Sequence, residues 1–300
     1  MKFFIMLLIL ISNSIYAQIN VVVPFSVGGP ADRIARIYTE ILNENDSLTK
    51  YFVENIVGAG GTIASKRVIE NKQSMLYVSS PAIFVGNSLP DQYLPKGFKF
   101  DILKDIEFVS TLGWFPIVLM SNQSSLSSLS PKHFFGHAGI GSSSHLMLSL
   151  LNQNYKFTFQ SVAYKGSSDS IIALIRNEIQ YDFHFIKEAM VYDGQKNIKA
   201  LAIASTKRNN KLPNVPTFLE LGIQNFENAR GVHNLFANKS TPQSTIRKIQ
   251  SIINNSKLSN QQLINFADNE GLVIEKISNE KEVFMKDAEF WKKLTIQAIK

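Results

Sequence analysis

Apolar residues change their spacing repeatedly along the first part of the chain. The segment INVVVPF, at 19–25, is a largely apolar segment of strand length, and in ADRIARIYTEILNEN, at 31–45, the apolar residues recur every three or four positions. The same change follows from KYFVENI to TIASKRVIENK, and MLYVSS then predicts a third strand. Strands that alternate with helices in this way are typical of βαβ units on a mainly parallel sheet.

A second alternation of similar length follows a serine-rich segment at 121–132. It predicts strands at FFGHAGI, FQSVAYK, YDFHFI and IKALAIAS, and helices at SSSHLMLSLLNQN and SSDSIIALIRNE. The tail of the chain predicts two amphipathic helices, at 243–256 and 280–299, with a short strand, LVIEKIS, between them.

One predicted strand joins the two halves. The segment EFVSTLGWFPIVLMSN, at 107–122, is unusually long for a single strand, so we expect it to cross from one half to the other. The chain therefore predicts an α/β fold of two lobes with a ligand cleft between them. Lobe 1 is assigned to 18–118 and 235–300, and lobe 2 to 119–234.

The first residues, MKFFIMLLILISNSIYA, have the composition of a secretory signal peptide, with one lysine, an apolar run and an end of small or polar residues. We expect cleavage after Ala17, which leaves Gln18 as the first mature residue. The alternative, a membrane anchor, is disfavoured because the apolar run at 3–11 is too short to span a bilayer. The chain has no cysteine, which excludes a lipid anchor on cysteine, disulfides and thiol catalysis.

The composition narrows the classes of partner. Hydrophobic residues make up 45% and charged residues 18% of the 300 residues, as in a globular protein and unlike a disordered chain. The net charge of +7 favours anionic partners, but the lysines and arginines are scattered, and no basic cluster with interleaved aromatic residues occurs. We therefore expect no nucleic-acid partner.

Each lobe has a strand that leads through a glycine-rich turn into a helix. The first corner is PFSVGGP at 24–30, with Asp32 in the first helical turn, and the second corner is GIGSSSH at 139–145. A helix start has unpaired backbone amides and the positive end of the helix dipole, which together favour a carboxylate or a phosphate. Glycine lets a ligand approach the backbone closely. The alternative is that these glycines and serines only turn and cap the chain.

Motifs for other chemistries are absent or incomplete. GIGSSS lacks the third glycine of a dinucleotide fingerprint, and no G-x-x-x-x-G-K-[ST] occurs. Ser143 and His145 lie two positions apart, but the nucleophile motif G-x-S-x-G is absent. His133 and His137 have the spacing of two metal ligands on a helix, yet their segment predicts a strand and no H-E-x-x-H motif is present. We therefore expect no metal and no cofactor.

Five separated motifs occur in a fixed order along the chain. They are VVVPFSVGGPADRIAR, YFVENIVGAGGTIAS, GIGSSSHL, VAYKGSSDSIIALI and KALAIASTKRNNKLPNVPTFLELG. In this order they resemble the signatures of the Bug-type solute receptors of tripartite tricarboxylate transporters. The resemblance implies a two-lobed periplasmic binding protein, similar to type II solute receptors, that closes on a small carboxylate and delivers it to an integral membrane permease. We also expect a periplasmic monomer without catalytic activity.

The resemblance further implies which residues meet the ligand. In the family the two corners face the ligand from opposite lobes, and a Y-K-G turn lies near the same cleft. The acid of a further family motif is retained at Asp182. The candidate ligand-binding residues are Phe25, Ser26, Val27, Gly28, Gly29 and Asp32 of the first corner, Gly141, Ser142, Ser143, Ser144 and His145 of the second, and Tyr164, Lys165, Gly166 and Asp182.

Some segments depart from the family pattern, and other functions stay open. QSML at 73–76 replaces an Asp-Gly-Tyr-Thr run, and NEIQY at 177–181 replaces most of a Gly-Gly-Gln-Val-Asp run. These departures weaken the transfer of ligand identity more than that of the fold.

The alternatives are a receptor of the same fold that reports to a two-component sensor kinase, and a secreted hydrolase that uses Ser143 and His145. Asp32 is equally explained as a helix-start acid. The alternative for His145 is a residue that packs or caps its helix, and the alternative for Lys165 is a surface cation.

Overall fold

The computed structural model describes residues 17–58, 61–79, 102–155 and 158–298. The predicted signal peptide, except for Ala17, lies outside the described residues. The strands are β1 (Ala17–Val23), β2 (Thr49–Asn55), β3 (Met75–Ser79), β4 (Ile106–Phe115), β5 (Ile117–Ser121), β6 (Phe134–His137), β7 (Gln160–Ala163), β8 (Tyr181–Phe185), β9 (Lys199–Ala204) and β10 (Gly231–Asn238). The helices are α1 (Pro30–Asn45), α2 (Thr62–Glu70), α3 (Ile102–Asp105), α4 (Ser143–Tyr155), α5 (Ser167–Ile175), α6 (Ile186–Tyr192), α7 (Gln243–Ser256), α8 (Gln261–Glu270) and α9 (Glu280–Ala298).

The first sheet, which forms lobe 1, has the strand order β2-β1-β3-β10-β4. β1 pairs in parallel with β2 and β3, whereas β10 pairs antiparallel with β3 and β4. Val21 and Val23 of β1 share one buried cluster with Ile34 and Ile41 of α1. The helical spacing of the isoleucines thus turns one face of α1 onto the sheet, as the apolar pattern predicts.

The second sheet, which forms lobe 2, has the strand order β7-β6-β8-β5-β9. β6 pairs in parallel with β7 and β8, and β5 pairs antiparallel with β8 and β9. Both faces of this sheet are covered. Phe183 of β8 and Leu146 of α4 belong to one buried cluster, whereas Val118 of β5 and Leu174 of α5 belong to another.

The chain crosses between the sheets at Pro116 and again between β9 and β10. Phe115 pairs with Gly231 in the first sheet, and Ile117 pairs with Ala204 in the second. Proline has no N–H to continue a ladder, so the predicted long strand is two strands in different sheets. The predicted α/β fold of two lobes is confirmed. By strand pairing the crossings lie slightly before 118 and 234, and the lobe limits given above stay predictions.

The tail of the chain differs from its prediction in two places. α7 begins and ends where predicted, but LVIEKIS does not form a strand, since Val273 makes an isolated bridge to Trp114. Gly113 has a left-handed φ of 148° directly before Trp114, and this bend interrupts the edge on which a longer ladder would form. The sequence analysis did not predict α8, although Leu263, Phe266 and Ala267 have helical spacing and lie in or against the buried cluster of lobe 1.

Candidate functional site

A cleft lies between the lobes, where α1, α4 and α5 begin. Its empty volume, open mouth included, is about 610 Å³. The lobes approach each other across it, because a Cβ atom built on Gly166 of lobe 2 would lie 3.3 Å from Ser26 Oγ of lobe 1. The cleft is lined by Phe25, Ser26, Gly29, Pro30, Ala31, Ile117, Ala138, Ser142, Ser143, Ser144, Gly166, Ser167, Ser168, Phe183, His184, Phe185 and His233.

The first corner joins β1 to α1 through a turn at Gly28. Gly28 has a left-handed φ of 80°, which glycine adopts readily and a residue with a Cβ atom does not. Its N–H donates to Asp32 Oδ2 at 2.9 Å, and the N–H of Gly29 donates to Ser26 O at 3.3 Å. In the first turn of α1 the N–H of Ala31 has no acceptor within the helix. The corner therefore presents a backbone donor to the cleft.

Asp32 holds this corner from behind and does not line the cleft. It is 1% exposed, and its carboxylate accepts hydrogen bonds from the N–H of Gly28, from Arg36 and from Asn55 Nδ2. Burial by itself would raise the pKa of Asp32, but these donors outweigh burial and hold the pKa below its ordinary value. Asn55 Nδ2 also donates to Phe25 O at 2.9 Å. The buried carboxylate thus orders the turn that faces the cleft.

The second corner joins β6 to α4 with a similar backbone arrangement. Gly141 has a left-handed φ of 79°, and its N–H donates to His145 Nδ1 at 3.1 Å. Ser142 Oγ accepts from the N–H of His145 at 3.3 Å, and Ser144 Oγ accepts from the N–H of Ala138 at 2.9 Å. The first-turn N–H of Ser144 has no acceptor within α4. This corner, too, presents backbone donors and hydroxyl groups.

Two histidines lie at the second corner. The ring centroids of His137 and His145 are 4.7 Å apart. Burial lowers the pKa of both histidines, and the neighbouring ring of His145 lowers that of His137 further, to about 4. Both rings are therefore neutral at neutral pH. That is the state in which His145 Nδ1 accepts the hydrogen bond from Gly141.

α5 supplies a third helix start at the cleft. Gly166 precedes the helix in an extended conformation, and Ser167 and Ser168 follow in its first turn. Of the three residues predicted in this turn, Gly166 lines the cleft, whereas Lys165 is exposed and Tyr164 is half-buried, both outside the lining. Three helices from both lobes thus direct their amino ends into one space.

The floor of the cleft is apolar apart from two histidines that the sequence analysis missed. Ile117, Phe183 and Phe185 form the apolar part. His233 of β10 lies beside them and packs edge-on against Phe185, with ring centroids 5.6 Å apart. Burial lowers the pKa of His233 to about 4, so this ring is neutral at neutral pH.

His184 of β8 lines the floor from lobe 2, and Asp182 lies next to it. His184 Nε2 is 3.0 Å from Asp182 Oδ2, and both side chains are fully buried. Burial alone would lower the pKa of His184, but the charge of Asp182 raises it above the ordinary value. The sequence analysis expected Asp182 to meet the ligand, whereas here it lies outside the lining and contacts His184. A polar residue between the aromatic residues of YDFHFI is the signal that could have identified His184.

The charge of the cleft comes from its backbone. Among the described residues, no lysine, arginine, aspartate or glutamate lines it. Positive potential is supplied by the amino ends of α1, α4 and α5 and by their first-turn amides. Nor does the described part of the chain hold a group of three or more His, Cys, Asp or Glu side chains suited to a metal ion. The arrangement is able to bind an anion without a lysine or arginine in the lining.

The predicted site residues divide by their position. Seven line the cleft: Phe25, Ser26, Gly29, Ser142, Ser143, Ser144 and Gly166. Four lie behind the lining and hold the two corners through hydrogen bonds: Gly28, Asp32, Gly141 and His145. Four others lie outside the lining: Val27, Tyr164, Lys165 and Asp182.

Residues 34–300 match the family described as "Tripartite tricarboxylate transporter family receptor". The chain belongs to this receptor family. BugT of Bordetella pertussis is 30% identical to the receptor over 224 residues, which cover 69% of this chain and 67% of BugT. A UPF0065 protein of Pseudomonas sp. strain P51 is 28% identical over 247 residues, which cover 78% of this chain and 71% of that protein. The resemblance indicated by the five motifs is confirmed.

Solved structures of similar fold include the periplasmic binding protein BugD. BugD has a TM-score of 0.82 at 22% identity, with 94% of the receptor and 97% of BugD covered. MatC from Rhodopseudomonas palustris with bound malate has a TM-score of 0.80 at 23% identity, with 93% of the receptor and 98% of MatC covered. An R. palustris protein with adipate has a TM-score of 0.81 at 22% identity, with 94% of the receptor and 97% of that protein covered. The receptor therefore shares the fold of these proteins. None of its helices in the described ranges has the length and apolar composition that a membrane span requires.

Proposed function

We propose that the receptor captures a small carboxylate between its lobes and delivers it to an integral membrane permease of the tripartite tricarboxylate type. The observation that carries this proposal is the convergence of three helix amino ends on a cleft whose described lining has no charged carboxylate, lysine or arginine. The proposal includes export to the periplasm, cleavage after Ala17 and a monomeric receptor.

Backbone amides are the donors that would hold the carboxylate. Ala31 of α1, Ser144 of α4 and Ser168 of α5 lie in first turns, where N–H groups have no acceptor within their own helix. The hydroxyl group of Ser26 adds a donor from lobe 1. Such groups, together with the positive ends of three helix dipoles, favour a negatively charged ligand over its neutral form.

The apolar floor favours a ligand with a hydrocarbon body. Ile117, Phe183 and Phe185 are suited to contact methylene groups, whereas the corners in opposite lobes are suited to a carboxylate at each end. Two proteins of similar fold hold dicarboxylates of this kind, MatC with malate and an R. palustris protein with adipate. We therefore infer a short dicarboxylate as the ligand.

The alternatives lack an observation that favours them. A Ser/His hydrolase needs a base within hydrogen-bond reach of its nucleophile. In the described part of the chain no hydrogen bond joins Ser143 Oγ to His145, whose Nδ1 accepts from Gly141 instead. A receptor that reports to a sensor kinase would use the same cleft, and it differs from a transport receptor in its membrane partner.

The first experiment identifies the ligand. Gently purified protein is denatured, the released acid is identified by mass spectrometry, and the acid and its methyl ester are compared by isothermal titration calorimetry. Should nothing be released, malate, succinate, adipate, citrate and benzoate are screened by thermal shift. We expect the free acid to bind and its ester to bind at least about a hundredfold more weakly, because the amides lose their anion. An ester that binds as tightly as the acid contradicts the carboxylate assignment, and turnover of the ligand would favour the hydrolase.

A second experiment tests closure of the lobes on the ligand. Gly166→Val places a branched side chain where a Cβ atom alone would lie 3.3 Å from Ser26 Oγ, so it should keep the lobes apart. The backbone of Gly166 is extended, so valine fits it without strain. We expect small-angle scattering to show compaction by the identified acid in the parent and not in the variant. Compaction in both proteins would contradict a cleft that closes at this point.

A third experiment addresses export and the membrane partner. Intact mass of protein released from the periplasm should correspond to a chain that starts at Gln18. Uptake of the labelled acid should require both the receptor and the permease when they are expressed together in cells that lack other uptake for it. A mature chain that retains its first residues, or uptake that is unchanged without the receptor, would contradict these parts of the proposal.

A further inference from the structure

Four charged side chains meet where α1 and α8 of lobe 1 face α6 of lobe 2. We call them the junction cluster: Arg33, Lys187, Glu188 and Glu270. Within lobe 1, Arg33 Nε is 2.7 Å from Glu270 Oε2. Across the lobes, Lys187 Nζ is 3.5 Å from Glu270 Oε1, and Arg33 Nη2 is 3.8 Å from Glu188 Oε1. The cluster does not line the ligand cleft.

The junction cluster is more buried than an ordinary surface ion pair. Side-chain exposure is 26% for Arg33, 13% for Glu188 and 11% for Glu270. Arg33 Nη2 and Glu188 Oε2 are buried atoms without a hydrogen-bond partner. A charge withdrawn from water is destabilising unless a counter-charge lies close, and the arginine that faces Glu188 belongs to the other lobe. Removal of one partner should therefore destabilise this closed arrangement more than an open one, in which water solvates the remaining charge.

Arg33 also contacts the first corner of the ligand cleft. Its Nη1 donates to Gly28 O at 2.6 Å. The N–H of the same glycine donates to Asp32, so two consecutive side chains hold both polar groups of Gly28. A displacement of Arg33 would release the carbonyl of this left-handed glycine and loosen the turn that faces the ligand.

A second contact between the lobes lies beside the junction cluster. Lys187 Nζ donates to Asn269 O at 2.8 Å, at the carboxyl end of α8. α8 ends at Glu270 and is capped by Gly271, whose φ is 67°, and a Cβ atom built on Gly271 would lie 2.4 Å from Ile186 Cγ2 of α6. A glycine is thus required both for the backbone turn and for the close approach of the two helices. The cluster depends on this arrangement of the lobes.

We propose that the junction cluster stabilises the closed arrangement of the lobes and that Arg33 is the positioning residue that couples closure to the first corner. Closure brings Glu188 to Arg33, and Arg33 holds Gly28 O in the geometry that faces the ligand. The coupling to ligand rests on the proposed function of the cleft. The effect of the cluster on ligand-free closure does not, and this allows the two to be tested separately.

The test measures the distance between the lobes. The natural chain has no cysteine, so Leu48→Cys on lobe 1 and Ile172→Cys on lobe 2, at exposed positions, allow specific spin labelling. Double electron–electron resonance is recorded without ligand and then with malate as the probe. Without ligand, Arg33→Gln and Glu188→Gln should each raise the ratio of open to closed molecules by about fivefold relative to the labelled parent. Glu282→Gln removes an exposed ion pair within α9 and serves as the control that should leave the ratio unchanged.

A double variant tests whether the two residues act through one contact. Arg33→Gln with Glu188→Gln should open the lobes no further than Arg33→Gln alone, whereas a sum of the two effects overturns the coupling. Arg33→Lys keeps the charge but not the forked donors, so it should recover part of the closed population. Unchanged distances in both folded single variants overturn the proposal. If Arg33→Gln does not fold, Lys187→Gln removes the most exposed member of the cluster, and it should shift the ratio in the same direction. If malate does not change the distances in the parent, malate is not the ligand. The comparison of parent and variants without ligand still decides whether the junction cluster stabilises closure.

Discussion

The first and second corners of the cleft share a backbone arrangement but are held by side chains of different charge. In each corner a left-handed glycine donates its N–H to the side chain four positions later, Gly28 to Asp32 and Gly141 to His145. The φ angles of the two glycines are 80° and 79°. In each corner a helix then begins with free amides towards the cleft. Similar geometry therefore arises in the two lobes from a carboxylate in one and an imidazole in the other.

The surroundings of the two acceptors differ as well. Asp32 receives hydrogen bonds from Arg36 and Asn55, which hold its pKa low. His145 is neutral, and hydroxyl groups rather than ions accompany it in the second corner. A carboxylate with a lowered pKa keeps its acceptor in mild acid, whereas imidazole loses its acceptor when Nδ1 takes up a proton. An acceptor four residues after the glycine therefore shapes each corner, and the charge of that acceptor decides whether mild acid removes its hydrogen bond.

Valine in place of the left-handed glycines should have the largest effect, and an equal one in both corners. Gly28→Val and Gly141→Val should each weaken ligand binding by at least about a hundredfold, because a left-handed conformation is unfavourable for residues with a Cβ atom, most of all for β-branched ones. Around Gly28 nothing lies within 4 Å of a built Cβ atom, so the effect is conformational and not a clash. Calorimetry with the identified acid measures it.

Gly222→Val is the matched control for these variants. Gly222 has a φ of 77° and nothing within 4 Å of its built Cβ atom, but it does not line the cleft. It should lower the unfolding midpoint as Gly28→Val does and leave affinity unchanged. If Gly28→Val also leaves affinity unchanged, the first corner is only a turn. Gly29→Val is expected to weaken binding less, because Gly29 has a negative φ and its Cβ atom would only press on Ser26 O at 3.3 Å.

Removal of a polar acceptor should lower the free energy of unfolding more in the first corner than in the second. Asp32→Asn keeps the shape of the side chain but turns an amide group towards donors, and it should lower the free energy of unfolding by about 2 kcal/mol, as for hydrogen bonds to a charged group. Ser144→Ala removes the neutral acceptor of the Ala138 N–H and should lower it by about 1 kcal/mol. Urea denaturation measures both. Equal losses would show that the charge of Asp32 adds nothing to the first corner.

The corners could be predicted from the sequence because everything that forms them is local. A strand, a glycine with positive φ, a helix start and an acceptor four positions on all lie within VVVPFSVGGPADRIAR. The same holds for Gly141 and His145. What the sequence analysis assigned directly to the ligand, however, is partly support: Gly28, Asp32 and His145 lie behind the lining. The pattern identifies the corner but does not show which of its groups face outwards.

The floor and the junction between the lobes could not be predicted, because they depend on contacts between distant parts of the chain. His184 and His233 come together only because the chain crosses between two sheets, and β10 was not recognised as a strand. Arg33 and Glu270 are 237 positions apart, so no local pattern indicates that they form an ion pair. Lys165 and Gly166 are neighbours in the same predicted turn, and the sequence does not show which of them faces the ligand. The direction of the chain at the start of α5 places the glycine in the cleft and the lysine in solvent.

Mild acid should weaken the second corner before the first. The pKa of His137 is about 4 in the folded receptor and 6.5 as its ordinary value, so the unfolded chain binds more protons between these values and stability falls as the pH falls through this range. For one such residue the loss between pH 7 and pH 5.5 is about 1 kcal/mol. Asp32 keeps its charge over the same range because its pKa is lowered.

Urea denaturation of the parent and of His137→Gln at the two pH values isolates this effect. Between the two pH values, the free energy of unfolding of the variant should fall by about 1 kcal/mol less than that of the parent. His145, whose pKa is lowered by burial, and His233, whose pKa is about 4, act in the same direction, whereas the raised pKa of His184 gives a contribution that is lost as the pH rises. All three histidines stay in both proteins, so the difference between the proteins reports His137. An identical pH dependence would mean that His137 is not held neutral at the second corner.

Arg36→Gln should have the smallest effect and shows which partner of Asp32 supports the first corner. Arg36 is 47% exposed, and its Nη2 lies 2.8 Å from Asp32 Oδ1. An ion pair with one partner so exposed contributes about 0.5 kcal/mol and weakens as salt is added. The hydrogen bonds from the N–H of Gly28 and from Asn55 to Asp32 remain in the variant, so the turn should keep its shape and ligand affinity should change by less than about threefold. Urea titrations of parent and variant in low and high salt measure the free energy of unfolding, and ligand titrations under the same conditions measure the affinity. A loss of unfolding free energy as large as that of Asp32→Asn would mean that the charge of Arg36 holds the first corner. The two corners would then differ in the counter-ion of the acceptor and not in the acceptor itself.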